Sequence, residues 1–116
     1  MPGREKLLIV DDDPHIRKLL RIYLRQSDYE VFEAANGEEA TAQVEQHRFA
    51  VILLDLILPH FGGFTLCQKF KATEQPPRVV IITGEDSPET RTMAEECGAD
   101  DFLPKPFTLT EVMAKV

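Results

Sequence analysis

The sequence predicts an α/β fold in which helices wind over both faces of a parallel sheet, and three observations carry that expectation. Short apolar runs such as KLLIV, AVILL and VVIIT alternate with longer amphipathic stretches. The central runs lack the in-out alternation of a sheet with one wet face, so they read as strands buried on both sides, the condition of a parallel sheet covered by helices. At 116 residues and 43% hydrophobic composition, the chain has apolar material for one core and too little for two. One domain over residues 1–116 is the expectation.

Each element has its own signal. Residues 6–10 form a buried strand, after which Asp13 is an N-cap and Pro14 stands at the first helical position. From 14 to about 26, Ile16, Leu19, Leu20, Tyr23 and Leu24 fall on one helical stripe facing a core. A short strand follows at 30–34. Asn36-Gly37 then opens a weaker helix, GEEATAQVEQH, which packs through Ala40 and Val44. AVILLDLILP is the longest apolar run and reads as a doubly buried strand closed by Pro59. Gly62-Gly63 begins a helix that reaches about Ala72, and Gln75-Pro76-Pro77 is a loop before the strand VVIIT. Ser87-Pro88 starts another helix, which ends at Cys97-Gly98 with glycine just past the last turn. DFLP is a last short strand. The final helix begins near Thr108 and stops at Val116 after barely two turns, so it is expected to be truncated. Right-handed crossovers leave a doubly wound, flavodoxin-like topology in the lead. No internal repeat, low-complexity segment or linker interrupts the chain.

Composition excludes several function classes. A net charge of −7 is the wrong footprint for a protein that holds a phosphate backbone, so direct nucleic-acid binding by this segment is not expected. Cys67 and Cys97 have no metal-ligand spacing and are too few for a disulfide scaffold; both read as reduced, partly buried thiols. The start, MPGREKLLIVDDD, has too short an apolar run for a signal peptide, and no later run approaches a membrane span. A cytoplasmic address and no membrane partner are expected.

The chemistry lies in what closes each strand. Ligands of such sheets bind beyond the carboxyl ends of the strands, beside the topological switch point. Asp11 and Asp12 close the first strand, Asp55 the third and Thr83 the fourth, and Lys105 follows the fifth. Singly, each has an ordinary explanation: a solvated strand end, a strand-terminal threonine, a surface lysine. Together they place three carboxylates, a hydroxyl and an ammonium on one edge. Carboxylates a few ångströms apart in a cleft repel one another and raise each other's pKa, so a cation belongs among them. Hard oxygen ligands on a rigid edge suit Mg²⁺. Metal and lysine together could hold an anion with several oxygens, such as a phosphoryl group.

With these residues in view, the chain resembles the receiver domains of two-component response regulators across essentially its whole length. LLIVDDD, LLDLILPHFGGF, IITG and GADDFLPKPF carry the resemblance, in order and at the right separations. It implies a five-stranded sheet in the order 2-1-3-4-5, with Asp55 phosphorylated by a histidine kinase or phosphotransfer protein. Asp12 would be a direct Mg²⁺ ligand, Asp11 would assist directly or through water, and Asp55 and the backbone carbonyl of Ile57 would complete the protein's share. Thr83 and Lys105 would each hold a phosphoryl oxygen, Phe102 occupies the place of the switch aromatic, and Lys105-Pro106 would be cis. Two departures stand out. Gly62 replaces an acidic residue common before the loop glycine, which implies a looser start to the third helix. Phe102 replaces the commoner tyrosine and brings no hydroxyl. His15, His47 and His60 match no phosphodonor position and read as surface or loop residues.

The function so implied is a phosphorylation-dependent signalling switch that alters the face spanning the fourth helix, fifth strand and fifth helix. It would not be a conventional turnover enzyme. A degenerate receiver that only binds proteins would be preferred if Asp12, Asp55 or Lys105 were missing, and none is. An aspartate-nucleophile phosphatase would carry a second carboxylate two residues beyond the nucleophile, where this chain has Ile57. Ile57 should instead shield the phosphorylated site and lengthen its lifetime, with Glu85 able to oppose it. An effector domain, if there is one, is expected C-terminal to Val116, since Met1 lies close to the first strand. Arg91, Glu96, Asp101, Glu111 and Lys115 resemble the charged dimer face of DNA-binding relatives, but Thr92 and Glu95 stand where those relatives tend to be apolar. A monomer is therefore expected before phosphorylation, and at most a weak dimer after it.

Overall fold

A computed structural model describes residues 4–57 and 62–116. Five strands and five helices alternate along them: β1 (Lys6–Val10), α1 (Pro14–Leu24), β2 (Glu30–Ala34), α2 (Gly37–Gln46), β3 (Val51–Asp55), α3 (Gly63–Lys71), β4 (Arg78–Thr83), α4 (Pro88–Glu96), β5 (Asp101–Pro104) and α5 (Leu109–Lys115). All pairings are parallel, and the sheet order is β2-β1-β3-β4-β5, the doubly wound, flavodoxin-like arrangement.

Strand periodicity explains the unbroken apolar runs. Leu8, Val10, Ile52, Leu54, Val79 and Ile81 point to one face, where they meet Ala40, Leu66, Phe70 and Ala94 from α2, α3 and α4. Their neighbours Leu7, Ile9, Val51, Leu53, Val80 and Ile82 point to the other, against Leu20, Leu24 and Val112 of α1 and α5. Both faces are dry, so both parities must be apolar. Burying each such side chain stabilises the fold by about 1.5 to 3 kcal/mol.

Caps set the helix starts. The Asp13 carboxylate accepts from His15 N at 2.8 Å ahead of Pro14. Asn36 accepts from Glu39 N at 2.8 Å, Ser87 from Thr90 N at 3.1 Å, and Thr108 and Glu111 form a reciprocal capping box. Gly62 caps α3 without a side-chain bond, having no side chain to give one. Gly98, with φ of 88°, ends α4 in the left-handed region that glycine enters without a Cβ clash.

The differences from expectation are local. Helix α1 ends at Leu24 rather than near 26, because the Ser27 amide and hydroxyl both bond to the Leu24 carbonyl, at 3.0 and 2.6 Å. Strand β3 ends at Asp55, where the site reading closes it, rather than continuing along the apolar run that follows. Leu56 O accepts from Gly63 N at 2.9 Å, which draws the chain out of the sheet toward α3. Closure by Pro59 and the position of His60 fall outside the described residues. Cys67 and Cys97 are fully rather than partly buried, because both face the core layer around Ile52. His15 is exposed and His47 lies in the loop after α2, as surface or loop residues; His47 is half-buried, its ring tilted 42° to Phe32 with centroids 4.6 Å apart, and Lys6 Nζ donates to its Nδ1 at 3.2 Å. Among the described residues, no helix is long and apolar enough to cross a membrane.

Candidate functional site at the carboxyl edge of the sheet

Because every strand runs the same way, the ends of β1, β3, β4 and β5 open on one edge. That edge gathers the residues singled out in the sequence. Carboxylate oxygens of Asp11, Asp12 and Asp55 all lie within 4.8 Å of one another. Asp11 and Asp55 are buried, whereas Asp12 is exposed at the mouth.

Asp11 is held from several sides. One oxygen accepts from Asp13 N at 2.9 Å and the other from Lys105 Nζ at 2.8 Å. Its backbone N donates to Ala34 O at 3.1 Å, and its carbonyl accepts from Arg17 at 2.7 Å. Arg17 in turn pairs with Glu33 of β2 at 3.2 Å, so the first strand end is fixed by its neighbours. Asp55 is held more loosely. Ile57 N donates to one oxygen at 3.2 Å, and Lys105 Nζ stands 3.5 Å from the other.

The charges do not balance. Burial, then the adjacent Asp11 carboxylate, push the Asp55 carboxyl up to about 6; Lys105 and the Ile57 N–H act in the opposite direction without cancelling them. For Lys105, burial works to lower the pKa, but the bond to Asp11 and the charges of Asp55 and Asp11 outweigh it, so the ammonium is held on more firmly than usual. One lysine among three carboxylates leaves net negative charge at the edge, on hard oxygens carried by rigid strand ends. That donor set fits a divalent cation of the Mg²⁺ type.

Thr83 is fully buried at the end of β4, and its hydroxyl accepts from Glu85 N at 3.0 Å. The Thr83 carbonyl accepts from Lys105 N at 2.7 Å, which ties the last strand's exit to the threonine; the Lys105-Pro106 peptide is cis. The Ile57 side chain is 58% exposed beside the acidic edge, where a long apolar group would ordinarily be hidden. Phe102 lies on β5 opposite Ile81, half-buried against the core layer that contains Ile81. Of the charged set on α4, β5 and α5, Arg91 pairs with Asp86, and Asp101 pairs with Lys115 at 2.9 Å and Arg78 at 3.1 Å. Glu96 and Glu111 are exposed.

Two contributors were not legible as site residues. A Cβ at Gly63 would lie 2.5 Å from the Asp55 carbonyl oxygen and 2.7 Å from Leu56 Cα, so glycine alone lets α3 begin against the end of β3. The Gly-Gly pair signals a helix start but not this approach. Arg17 looks like an exposed position of α1, and its bond to the Asp11 carbonyl depends on how β1 and β2 are set side by side.

Residues 7–116 match the family model described as the response regulator receiver domain. Among curated proteins, the transcriptional regulatory protein SrrA of Staphylococcus aureus is 39% identical over 111 residues, which are 96% of this chain and 46% of that protein. The chain thus spans about half the length of that relative. Among solved structures, the Vibrio cholerae chemotaxis protein CheY4 superposes with a TM-score of 0.89 at 32% identity, covering 97% of this chain and 95% of the other. A response regulator from Burkholderia pseudomallei, holding a phosphorylated aspartic acid, a calcium ion and citrate, superposes with a TM-score of 0.88 at 28% identity, covering 96% and 65%.

Proposed function

The chain belongs to the response regulator receiver domain family, and from that premise we propose that it is a phosphorylation switch whose phosphoacceptor is Asp55. The observation that carries this reading is the placing of the buried Asp55 carboxylate at the sheet edge, with an oxygen within 4.8 Å of oxygens of Asp11 and Asp12 and Lys105 Nζ 3.5 Å away. The two contacts of Asp55, at 3.2 and 3.5 Å, are longer than the 2.9 and 2.8 Å bonds that hold Asp11, so it is the carboxylate there with more room to take a new partner.

The phosphodonor is a histidine kinase or phosphotransfer protein, and the transferred group ends as an acyl phosphate on Asp55. Asp11, Asp12 and Asp55, with the Ile57 carbonyl, would hold Mg²⁺, which when bound offsets negative charge on the carboxylates and on the transferring group. The chain's own residues do the rest. Ile57 N holds one Asp55 oxygen and so orients the other for in-line attack. Lys105, already 3.5 Å from Asp55, is placed to neutralise a phosphoryl oxygen as charge develops there. The Thr83 hydroxyl accepts one bond and retains its proton to donate to a further oxygen. Donation would draw Thr83 toward Asp55 and open space on the sheet face it shares with Phe102. A ring that turns into that space changes the surface of α4, β5 and α5, a local charge change read out through a bistable element.

The relative from B. pseudomallei, with its phosphorylated aspartic acid and divalent cation, supports both parts of this reading. The phosphatase reading lacks its general acid, since Ile57 stands at that position. In this account the domain acts in the cytoplasm as a switch, not as a turnover enzyme, and any output domain would lie outside these residues. Incubation with acetyl phosphate tests the reading. Modification should require Mg²⁺, stop with a chelator and slow strongly in Lys105→Ala; equal modification with the chelator present would overturn it.

A further inference from the structure

Thr83 and Phe102 lie on the same face of the sheet. Thr83 follows Ile81 by two residues along β4, and Phe102 pairs with Ile81 across to β5. Over the Phe102 ring lies the Arg91 guanidinium, 4.7 Å from the ring centroid. Arg91 is itself fixed from the side: Nε and a terminal nitrogen donate to the two oxygens of Asp86 at 2.6 and 3.1 Å. This is the two-pronged geometry in which a guanidinium matches a carboxylate. Asp86 stands in the loop between β4 and α4, three residues after Thr83. A single side chain therefore ties the loop that Thr83 must pull to the ring that would move in response.

We propose that the Asp86–Arg91 pair is a latch on Phe102, holding the ring at the surface in the resting state and setting how readily the domain passes to its phosphorylated form. The inference rests on Thr83 and Phe102 acting as the switch pair described above, and it adds Arg91 as a positioning residue that touches neither the phosphoryl group nor a metal ligand. Turning the ring inward forfeits the cation–ring contact. Displacing the loop that follows Thr83 displaces Asp86, and with it the anchor of Arg91, so the chemistry at Asp55 would release the latch. Arg91 and Asp86 are about half exposed, at 52% and 44%, so the bias is modest. A surface cation–ring contact and a two-bond ion pair together shift the equilibrium roughly three- to tenfold.

Beryllofluoride with Mg²⁺, titrated against the whole chain, measures that equilibrium without a phosphodonor. Arg91→Ala should bind roughly three- to tenfold tighter than wild type. Arg91→Lys should fall between them, since lysine keeps a cation near the ring but not the two-pronged pair. In a Phe102→Ala background the latch has nothing to hold, so adding Arg91→Ala should leave affinity unchanged or slightly weaker. Binding by Arg91→Ala no tighter than wild type, or tightening that persists without the ring, overturns the proposal. A second readout needs no phosphoryl mimic: the nuclear Overhauser contact between the Phe102 ring and the Thr83 methyl group should strengthen in resting Arg91→Ala. No change in that contact also overturns it. If wild type fails to bind beryllofluoride, the phosphoryl reading fails, while the Overhauser measurement still tests the latch.

Discussion

Replacing Asp55 by asparagine should stabilise the metal-free domain at neutral pH, although it removes the proposed phosphoacceptor. The carboxyl is raised from 3.8 to about 6, first by burial and then by Asp11. A raised folded-state pKa means that folding favours the protonated acid. That stabilisation is complete below about pH 4 and is lost as pH rises through about 6. A shift of about two units corresponds to about 3 kcal/mol against the ionised form. Asparagine has nearly the same shape and can accept the Ile57 N–H, but it must itself be desolvated and gains less from Lys105. The net gain should therefore be about 1 to 3 kcal/mol at pH 7.5, or roughly 5 to 15 °C in midpoint for a chain of this length. Thermal and urea unfolding of both proteins in chelator, from pH 4 to pH 8, would measure it. The gap should close toward pH 4, open above pH 6 and narrow when Mg²⁺ is added to wild type. Equal stability at pH 7.5, or a gap independent of pH, would refute the electrostatic account of the site.

Three further outcomes follow from particular contacts. Gly63→Ala should destabilise the domain by about 1 to 3 kcal/mol, because its Cβ has only 2.5 Å to the Asp55 carbonyl oxygen; urea unfolding unchanged from wild type would contradict the close approach. The phosphorylated wild type should be long-lived for its family, since the apolar side chain of Ile57, exposed two residues after Asp55, has no group to orient water, and Ile57→Gln should lose its phosphoryl group faster; a longer lifetime in the variant would count against this reading. Sedimentation should find the resting domain monomeric, because Arg91, Asp101 and Lys115 already pair within the chain, and at most weakly dimeric with beryllofluoride. A tight dimer in both conditions would contradict that reading of α4, β5 and α5.

Much of this arrangement is legible in the sequence because strand polarity does the placing. Once LLIV, VILLD and VVIIT read as parallel buried strands, Asp11, Asp12, Asp55 and Thr83 must share one edge, whatever the detail of the helices between. Element ends are less legible where tertiary bonds decide them. Ser27 stops α1 through the Leu24 carbonyl, and Gly63 draws the chain out of β3 while the residues beyond Asp55 are still apolar. Contacts distant in sequence are least legible of all. Nothing in the spacing of Asp86, Arg91 and Phe102 announces that one guanidinium bridges a loop to a strand. Similarly, the full burial of Cys67 and Cys97 depends on how α3 and α4 meet over the sheet.

Intact-mass spectrometry after exposure to acetyl phosphate and Mg²⁺ tests the central claim most directly, with wild type and Asp55→Asn treated side by side. The account predicts one phosphoryl group on wild type and none on the variant, even though the variant is folded and more stable. Equal modification of the two proteins, or modification of neither, would contradict it.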